Sequence, residues 1–264
     1  MQDLTISLVQ ADLLWEDKKA NLSQFDRLLS QITEPTDLII LPEMFNTGFS
    51  MQATALAEDM SGPTIQWMLE NARQYKATII GSMIIVENEN YFNRLIAAHP
   101  DQTLNHYDKR HLFRMANEHL TFYPGSRVLT LEIKGWKIRP LVCYDLRFPV
   151  WSRNRYNKED GWSYDLAVYV ANWPAARTIP WKTLPVARAI ENQAYITTVN
   201  RIGTDGMGIA YSGDSQVINS YGEVVASLYD TETVQTIVLS RASLEKHRSV
   251  FPVGWDADLF QISD

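Results

Sequence analysis

The only cysteine of this chain, Cys143, closes the apolar run Ile138-Arg139-Pro140-Leu141-Val142 and opens the segment Cys143-Tyr144-Asp145-Leu146-Arg147-Phe148-Pro149. One thiol makes neither an internal disulfide nor a multi-cysteine metal cage, so any chemistry it performs is nucleophilic. Position alone does not assign it that role, because a lone Cys ending an apolar strand is commonly a small core hydrophobe. Two other segments bear on the choice. Leu38-Ile39-Ile40-Leu41 is an apolar strand that ends in Pro42-Glu43, and the carboxyl end of a buried strand is where open α/β sheets place working groups. Tyr107-Asp108-Lys109-Arg110-His111 follows the alternating stretch 91–107 and sets Lys109 just beyond a strand. Taken singly, Glu43 also reads as a solvated loop acid and Lys109 as part of a basic surface turn.

The elements that must position these side chains show in the hydrophobic pattern. Strand-like runs at 4–9, 37–41, 77–86, 137–143, 165–171 and 194–200 alternate with helical spacing in Leu22, Phe25, Leu28, Leu29 and Ile32, and again in Ile65, Met68, Leu69, Ala72 and Tyr75 after a Gly62-Pro63 start. The last third is richer in strands: 208–219 and 223–228 flank the turn Ser220-Tyr221-Gly222, and 234–239 follows. This pattern predicts βα units with helices covering sheets, an α/β domain.

A chain of 264 residues with 45% hydrophobic content buries a large core, and no stretch is biased enough to be a linker. We therefore expect one domain, 1–264. The start lacks a signal-peptide pattern, and the longest nearly apolar run, 77–86, is too short to span a bilayer. With a single Cys, the expected compartment is the cytoplasm. A formal charge of -7 disfavours nonspecific nucleic-acid binding. His99, His106, His111, His119 and His247 form no metal-binding spacing, so no metal is expected. The glycines of 203–208 do not have phosphate-loop spacing and read as a turn, and no Gly-x-Ser-x-Gly elbow marks a serine hydrolase.

Taken together and in chain order, the Glu43, Lys109 and Cys143 segments resemble the carbon-nitrogen hydrolase (nitrilase) superfamily. Ala171-Asn172-Trp173-Pro174, Ala187-Arg188-Ala189-Ile190-Glu191-Asn192 and Gly213-Asp214-Ser215 extend the resemblance over nearly the whole chain. It is similar in particular to the bacterial omega-amidase branch. The resemblance implies a four-layer α-β-β-α sandwich, commonly a homodimer, that needs no cofactor. It also implies hydrolysis of the terminal amide of a small 2-oxo acid, with Cys143 as nucleophile, Glu43 as base and acid, and Lys109 as an oxyanion donor.

The backbone N–H of Tyr144 is the natural second donor. For Glu43 to take a thiol proton its pKa must be raised, which burial among Phe45, Phe49, Tyr144 and Trp173 would do. Glu118 matches a second, supporting glutamate of the family, although its spacing equally suits a loop acid. Asn172 and Trp173 are expected at the pocket rim, with Trp173 equally readable as a core aromatic. Asp145 and Arg147 read as fixing the nucleophile loop, and Arg188 with Glu191 as an ion pair on a helix. Arg114, Arg147 and Arg177 are unranked candidates for a substrate carboxylate. Nitriles, N-carbamoyl amines and deaminated-glutathione-like amides are alternative substrates, and a noncatalytic scaffold with the same fold is the alternative from another class.

Overall fold

The computed structural model describes residues 2–262, so Met1 and Ser263-Asp264, the ends of the expected domain, lie outside it. Strands buried on both faces have continuous apolar sequences, and successive side chains then serve two different cores. In Leu38–Ile40, Leu38 and Ile40 join Leu4, Ile6 and Leu8 against the opposing sheet. Ile39 and Leu41 point the other way, with Val9, onto Phe25 and Leu28 of helix Lys18–Leu29 and Ile65 and Met68 of helix Pro63–Tyr75.

The first sheet has the order Thr233–Leu239, Leu4–Gln10, Leu38–Ile40, Thr78–Glu87, Asn90–Ala98, Leu104–Asp108. Its Leu4–Gln10, Leu38–Ile40 and Thr78–Glu87 strands run parallel, and the outer pairings are antiparallel. The second has the order Val224–Ser227, Gln216–Ile218, Tyr195–Asn200, Leu166–Ala171, Trp136–Val142, Leu131–Ile133, again with three parallel central strands. Helices Thr178–Asn192 and Arg241–Val250 contribute Trp181, Ala189 and Leu244 to the core that includes this second sheet. The layer order is therefore α-β-β-α, as the resemblance implied. Among the described residues no helix is long and apolar enough to cross a membrane.

Three departures from the sequence pattern have physical causes. The stretch 208–219 is two strands, Ala210–Ser212 and Gln216–Ile218, because Gly213 and Asp214 adopt φ of +65° and +53°, which no strand accommodates. Ala210–Ser212 pairs with Ile202–Thr204, so the glycine-rich 203–208 segment is a hairpin, whereas Gln216–Ile218 pairs with Val224–Ser227 across Ser220-Tyr221-Gly222. The last strand, Thr233–Leu239, crosses back to the edge of the first sheet beside Leu4–Gln10. Finally, the strand before the cysteine stops at Val142, and Cys143 opens the one-turn 3-10 segment Cys143–Arg147.

Candidate active site

The site forms where strand ends from both sheets meet. Glu43 follows Leu38–Ile40, and Lys109 directly follows Leu104–Asp108. Cys143 and Asn172 directly follow Trp136–Val142 and Leu166–Ala171 of the other sheet. Two sharp turns aim these groups: Met44, next to Glu43, has φ +42° and Cys143 has φ +44°. Left-handed backbone costs a non-glycine residue on the order of 1–3 kcal/mol and persists only where the surroundings impose it.

At Cys143 that constraint is Asp145. Its buried carboxylate accepts hydrogen bonds from Val142 N (3.0 Å), the Tyr107 hydroxyl (2.7 Å) and His111 N (3.1 Å), with His111 Nδ1 also at 2.7 Å. Arg188 pairs with Glu191 at 3.0 Å and also donates to the Leu146 carbonyl at 2.9 Å, tying helix Thr178–Asn192 to the same turn. Asp145 thus has the loop-fixing place expected of it. Arg147 does not: its guanidinium is exposed and lies 5.0 Å from the centre of the Trp173 ring, at the wall of the cavity described below.

Lys109, Glu43 and Glu118 are buried together. The Lys109 ammonium lies 2.8 Å from Glu43 Oε1 and 3.0 and 2.9 Å from the two oxygens of Glu118. Asn93 Nδ2 donates to Glu43 Oε1 (2.8 Å) and Glu118 Oε1 (3.0 Å), while its Oδ1 accepts from Ser82 Oγ (2.8 Å). Asn172 N donates to Glu43 Oε2 at 2.8 Å, and its side-chain amide donates to the Glu43 carbonyl. Glu118 also accepts from Phe113 N. The carboxylate of Glu43 is therefore caged by donors rather than by the expected aromatic rings. Phe45 packs in the helix-side core against Phe25 and Trp67, and Phe49 lies against Lys109, 5.2 Å from ring centre to Nζ.

The charges follow from this geometry. Burial by itself would lower the Lys109 pKa, but the adjacent Glu118 and Glu43 outweigh it and raise the value, so the ammonium is held charged. Burial raises the Glu118 carboxyl, Lys109 opposes the rise and Glu43 adds to it. Burial also pushes the Cys143 thiol well up, with Glu43 reinforcing and Lys109 opposing. Burial first, and the two carboxylates after it, therefore favour the neutral thiol over the thiolate against the opposing charge of Lys109.

Cys143, Lys109, Tyr144, Asn172 and Trp173 all line one cavity of about 240 Å³. That is below the ~300–1,000 Å³ usual for drug-sized ligands and suits a small substrate. The Cys143 Sγ lies 4.0 Å from the Asn172 carbonyl. Tyr144 falls in the first turn of the 3-10 segment, where N–H groups have no acceptor within the helix. Trp173 answers to both of its readings: it is buried, stacked on Trp181 at 5.3 Å, and exposes an edge to the cavity. The Asn172 backbone N–H and its side-chain amide both donate to Glu43, so Asn172 positions that residue. Arg147 and Arg177 line the cavity, whereas Arg114 faces a neighbouring hollow bounded by Arg110, His111 and His119. Sequence reading missed Asn93, Ser82 and the buried wall residue Tyr211. The available signal for Ser82 is a polar residue within the apolar run of Thr78–Glu87; Asn93, beside Arg94 in Asn90–Ala98, carries no such mark. Among the described residues no group of three or more His, Cys, Asp and Glu is placed to hold a metal.

The family profile described as carbon-nitrogen hydrolase matches residues 5–248. The chain belongs to the carbon-nitrogen hydrolase family. It is 48% identical over 265 residues to "Omega-amidase YafV" of Escherichia coli K12, covering 99% of this chain and 100% of that one. The "2-oxoglutaramate amidase" of Bacillus subtilis is 31% identical, covering 84% and 85%. A Xanthomonas campestris protein of the CN-hydrolase superfamily, solved with an arsenic adduct in its active site, superposes with a TM-score of 0.97 at 46% identity, each chain fully covered. This carbon-nitrogen hydrolase thus shares its fold with that superfamily member over the full length of both chains.

Proposed function

We propose that this carbon-nitrogen hydrolase is an omega-amidase that converts the terminal amide of a small 2-oxo acid to the acid and ammonia through a thioester on Cys143. The observation that carries the reading is the buried Glu43, Lys109 and Glu118 cluster, with N–O distances of 2.8–3.0 Å, beside a thiol in a small cavity. The names borne by the Escherichia coli and Bacillus subtilis relatives supply the substrate class: 2-oxoglutaramate first, with 2-oxosuccinamate and the corresponding amide formed in methionine salvage as further candidates.

Because the resting thiol is protonated, its proton passes to Glu43 as sulfur attacks the amide carbon. The carbonyl oxygen becomes an oxyanion, stabilised by the Lys109 ammonium and the Tyr144 N–H. Collapse breaks the C–N bond, Glu43 returns the proton to the leaving nitrogen, and ammonia departs. Glu43 then deprotonates a water that attacks the thioester; the C–S bond breaks and the sulfur regains its proton. Glu118 touches neither sulfur nor substrate in this scheme and acts by holding Lys109. The homodimer and the cytoplasmic setting implied by the family resemblance belong to this proposal.

The test is ammonia release from 2-oxoglutaramate, with an acyl adduct on Cys143 in protein quenched during turnover. Cys143→Ala should abolish both. Full turnover by that variant, or a clear preference for nitriles or N-carbamoyl amines, overturns the proposal.

A further inference from the structure

Arg94, Arg188, Arg201 and Arg241 are buried arginines, and each has a carboxylate oxygen within 3.1 Å. Arg139 is the exception. It is only 7% exposed, yet among the described residues no carboxylate pairs with it. Its Nε and Nη2 donate to one neutral oxygen, Thr130 Oγ1, at 3.3 and 3.1 Å, and its guanidinium carbon lies 5.3 Å from the centre of the Tyr164 ring. Nη1 has no acceptor among the described residues. Burial lowers the Arg139 pKa, and the groups that oppose the fall are tyrosines rather than acids. An arginine nonetheless keeps its charge in a protein, so a buried one without a counter-ion carries a desolvation cost that nothing offsets.

Arg139 opens onto a hollow of about 470 Å³ that shares no lining residue with the cavity above Cys143. Arg153 and Arg155 line the same hollow together with Ser126 and Ser163, and no Asp or Glu lines it. Arg153 donates from Nη1 to the Glu191 carbonyl, and the Arg155 guanidinium carbon lies 4.2 Å from the centre of the Phe260 ring. Neither is paired with a carboxylate among the described residues. Three guanidiniums thus gather from strand Trp136–Val142 and from the segment 153–155, in a chain whose formal charge is -7. Like charges brought together repel unless an anion lies between them. The planar forks match pairs of phosphate oxygens, and the two serine hydroxyls add donors. Val128, Val150 and Trp151 give the hollow an apolar side with room for an organic group.

We propose that this hollow is an anion site that binds a phosphate group, free or as a small monoester, between Arg139, Arg153 and Arg155. Arg139 is buried at its floor, Arg153 is half-buried, and Arg155 is exposed at its rim. The site lies apart from the amidase chemistry and does not depend on it.

The experiment is calorimetric titration of the full-length protein with inorganic phosphate and with phenyl phosphate, in chloride buffer at constant ionic strength. Wild type, Arg139→Gln, Arg155→Gln and Arg177→Gln are compared. The wild type should bind saturably, and Arg139→Gln should bind about 10- to 100-fold more weakly. Arg155→Gln should weaken binding by a smaller factor, because that side chain is exposed; for the same reason it keeps the test decisive should Arg139→Gln fail to fold. Arg177→Gln, in the other cavity, should bind as the wild type does. Tighter binding of phenyl phosphate identifies an ester as the occupant, and equal binding identifies free phosphate; either supports the site. No saturable binding by the wild type, binding undiminished in Arg139→Gln and Arg155→Gln, or a loss confined to Arg177→Gln overturns it.

Discussion

Glu118→Gln removes one charge from the buried cluster with almost no change in shape, and its two consequences run in opposite directions. Glu118 receives the Lys109 ammonium on both oxygens, at 3.0 and 2.9 Å, and also Phe113 N and Asn93 Nδ2. In the variant one of these oxygens becomes an NH₂ that faces a donor. At least one charge-assisted hydrogen bond is lost, worth about 1.5–3 kcal/mol, and the Lys109 ammonium shifts toward Glu43. Loss of a well-placed oxyanion donor costs roughly 10²- to 10³-fold in kcat, so a fall near 10²-fold with little change in KM is expected. The thiol responds the other way. Glu118 is among the charges that raise the Cys143 pKa, so neutralising it lowers that pKa. Each unit of lowering gives about tenfold more thiolate below the midpoint. In the wild type, alkylation by iodoacetamide should climb only on the alkaline side of the ordinary thiol range; in Glu118→Gln the profile should move toward lower pH and the rate at pH 8 should rise. Lys109→Met removes the opposing cation and should move it to higher pH. The assay is a pH series of alkylation rates beside steady-state ammonia release. An unshifted or alkaline-shifted profile in Glu118→Gln, or undiminished kcat, would refute the reasoning.

Three further substitutions probe the scaffold. Asp145→Ala strands the Val142 N–H, the His111 N–H and the Tyr107 hydroxyl; at about 1–3 kcal/mol each the loss should exceed about 3 kcal/mol in urea unfolding, and a loss under about 1 kcal/mol contradicts the pinning role. Cys143→Gly should be at least as stable as Cys143→Ala, because relief of left-handed strain of about 1–2 kcal/mol outweighs the ~0.4–1 kcal/mol entropic penalty of glycine; a clearly less stable glycine variant would show that φ +44° carries no strain. Gly125→Ala places a Cβ 2.1 Å from the Asp108 carbonyl, and Gly125 N donates to the Lys109 carbonyl at 3.0 Å. It should cost about 1–3 kcal/mol and lower kcat by displacing Lys109, whereas wild-type melting and turnover would show the backbone there to be yielding.

What the sequence exposed and what it hid divide along a physical line. Local periodicity located Leu4–Gln10, Thr78–Glu87 and Pro63–Tyr75 within a residue or so, because a buried strand or amphipathic helix repeats its apolar residues along the chain. It was silent on Thr233–Leu239 joining the first sheet, since a partner some 230 residues away leaves no trace in a short window. Glu43, Lys109 and Cys143 were visible as chemical types at strand ends, and their order carried the family resemblance. Asn93 was not, because its work is to hold two acids at once, and only the fold shows that Glu43 and Glu118 are neighbours. The donor cage around Glu43 was equally hidden: an aromatic-rich sequence neighbourhood gave no sign that Phe45 turns toward the helices.

Glu43, Asn93 and Lys109 are carried by one sheet and its strand ends, Cys143 and Asn172 by the strand ends of the other. Reactivity is consequently a measure of how the two halves of the sandwich are seated. Sliding one sheet past the other by a single strand residue, about 3.3 Å, would carry the sulfur away from Glu43 and Lys109 while leaving every strand intact. Conservative exchanges among the leucines and isoleucines between the sheets should therefore alter turnover before they alter melting, and partly denatured protein should fall silent early. On the proposed mechanism, a nucleophile and a base carried by different sheets cannot be assembled by either half alone.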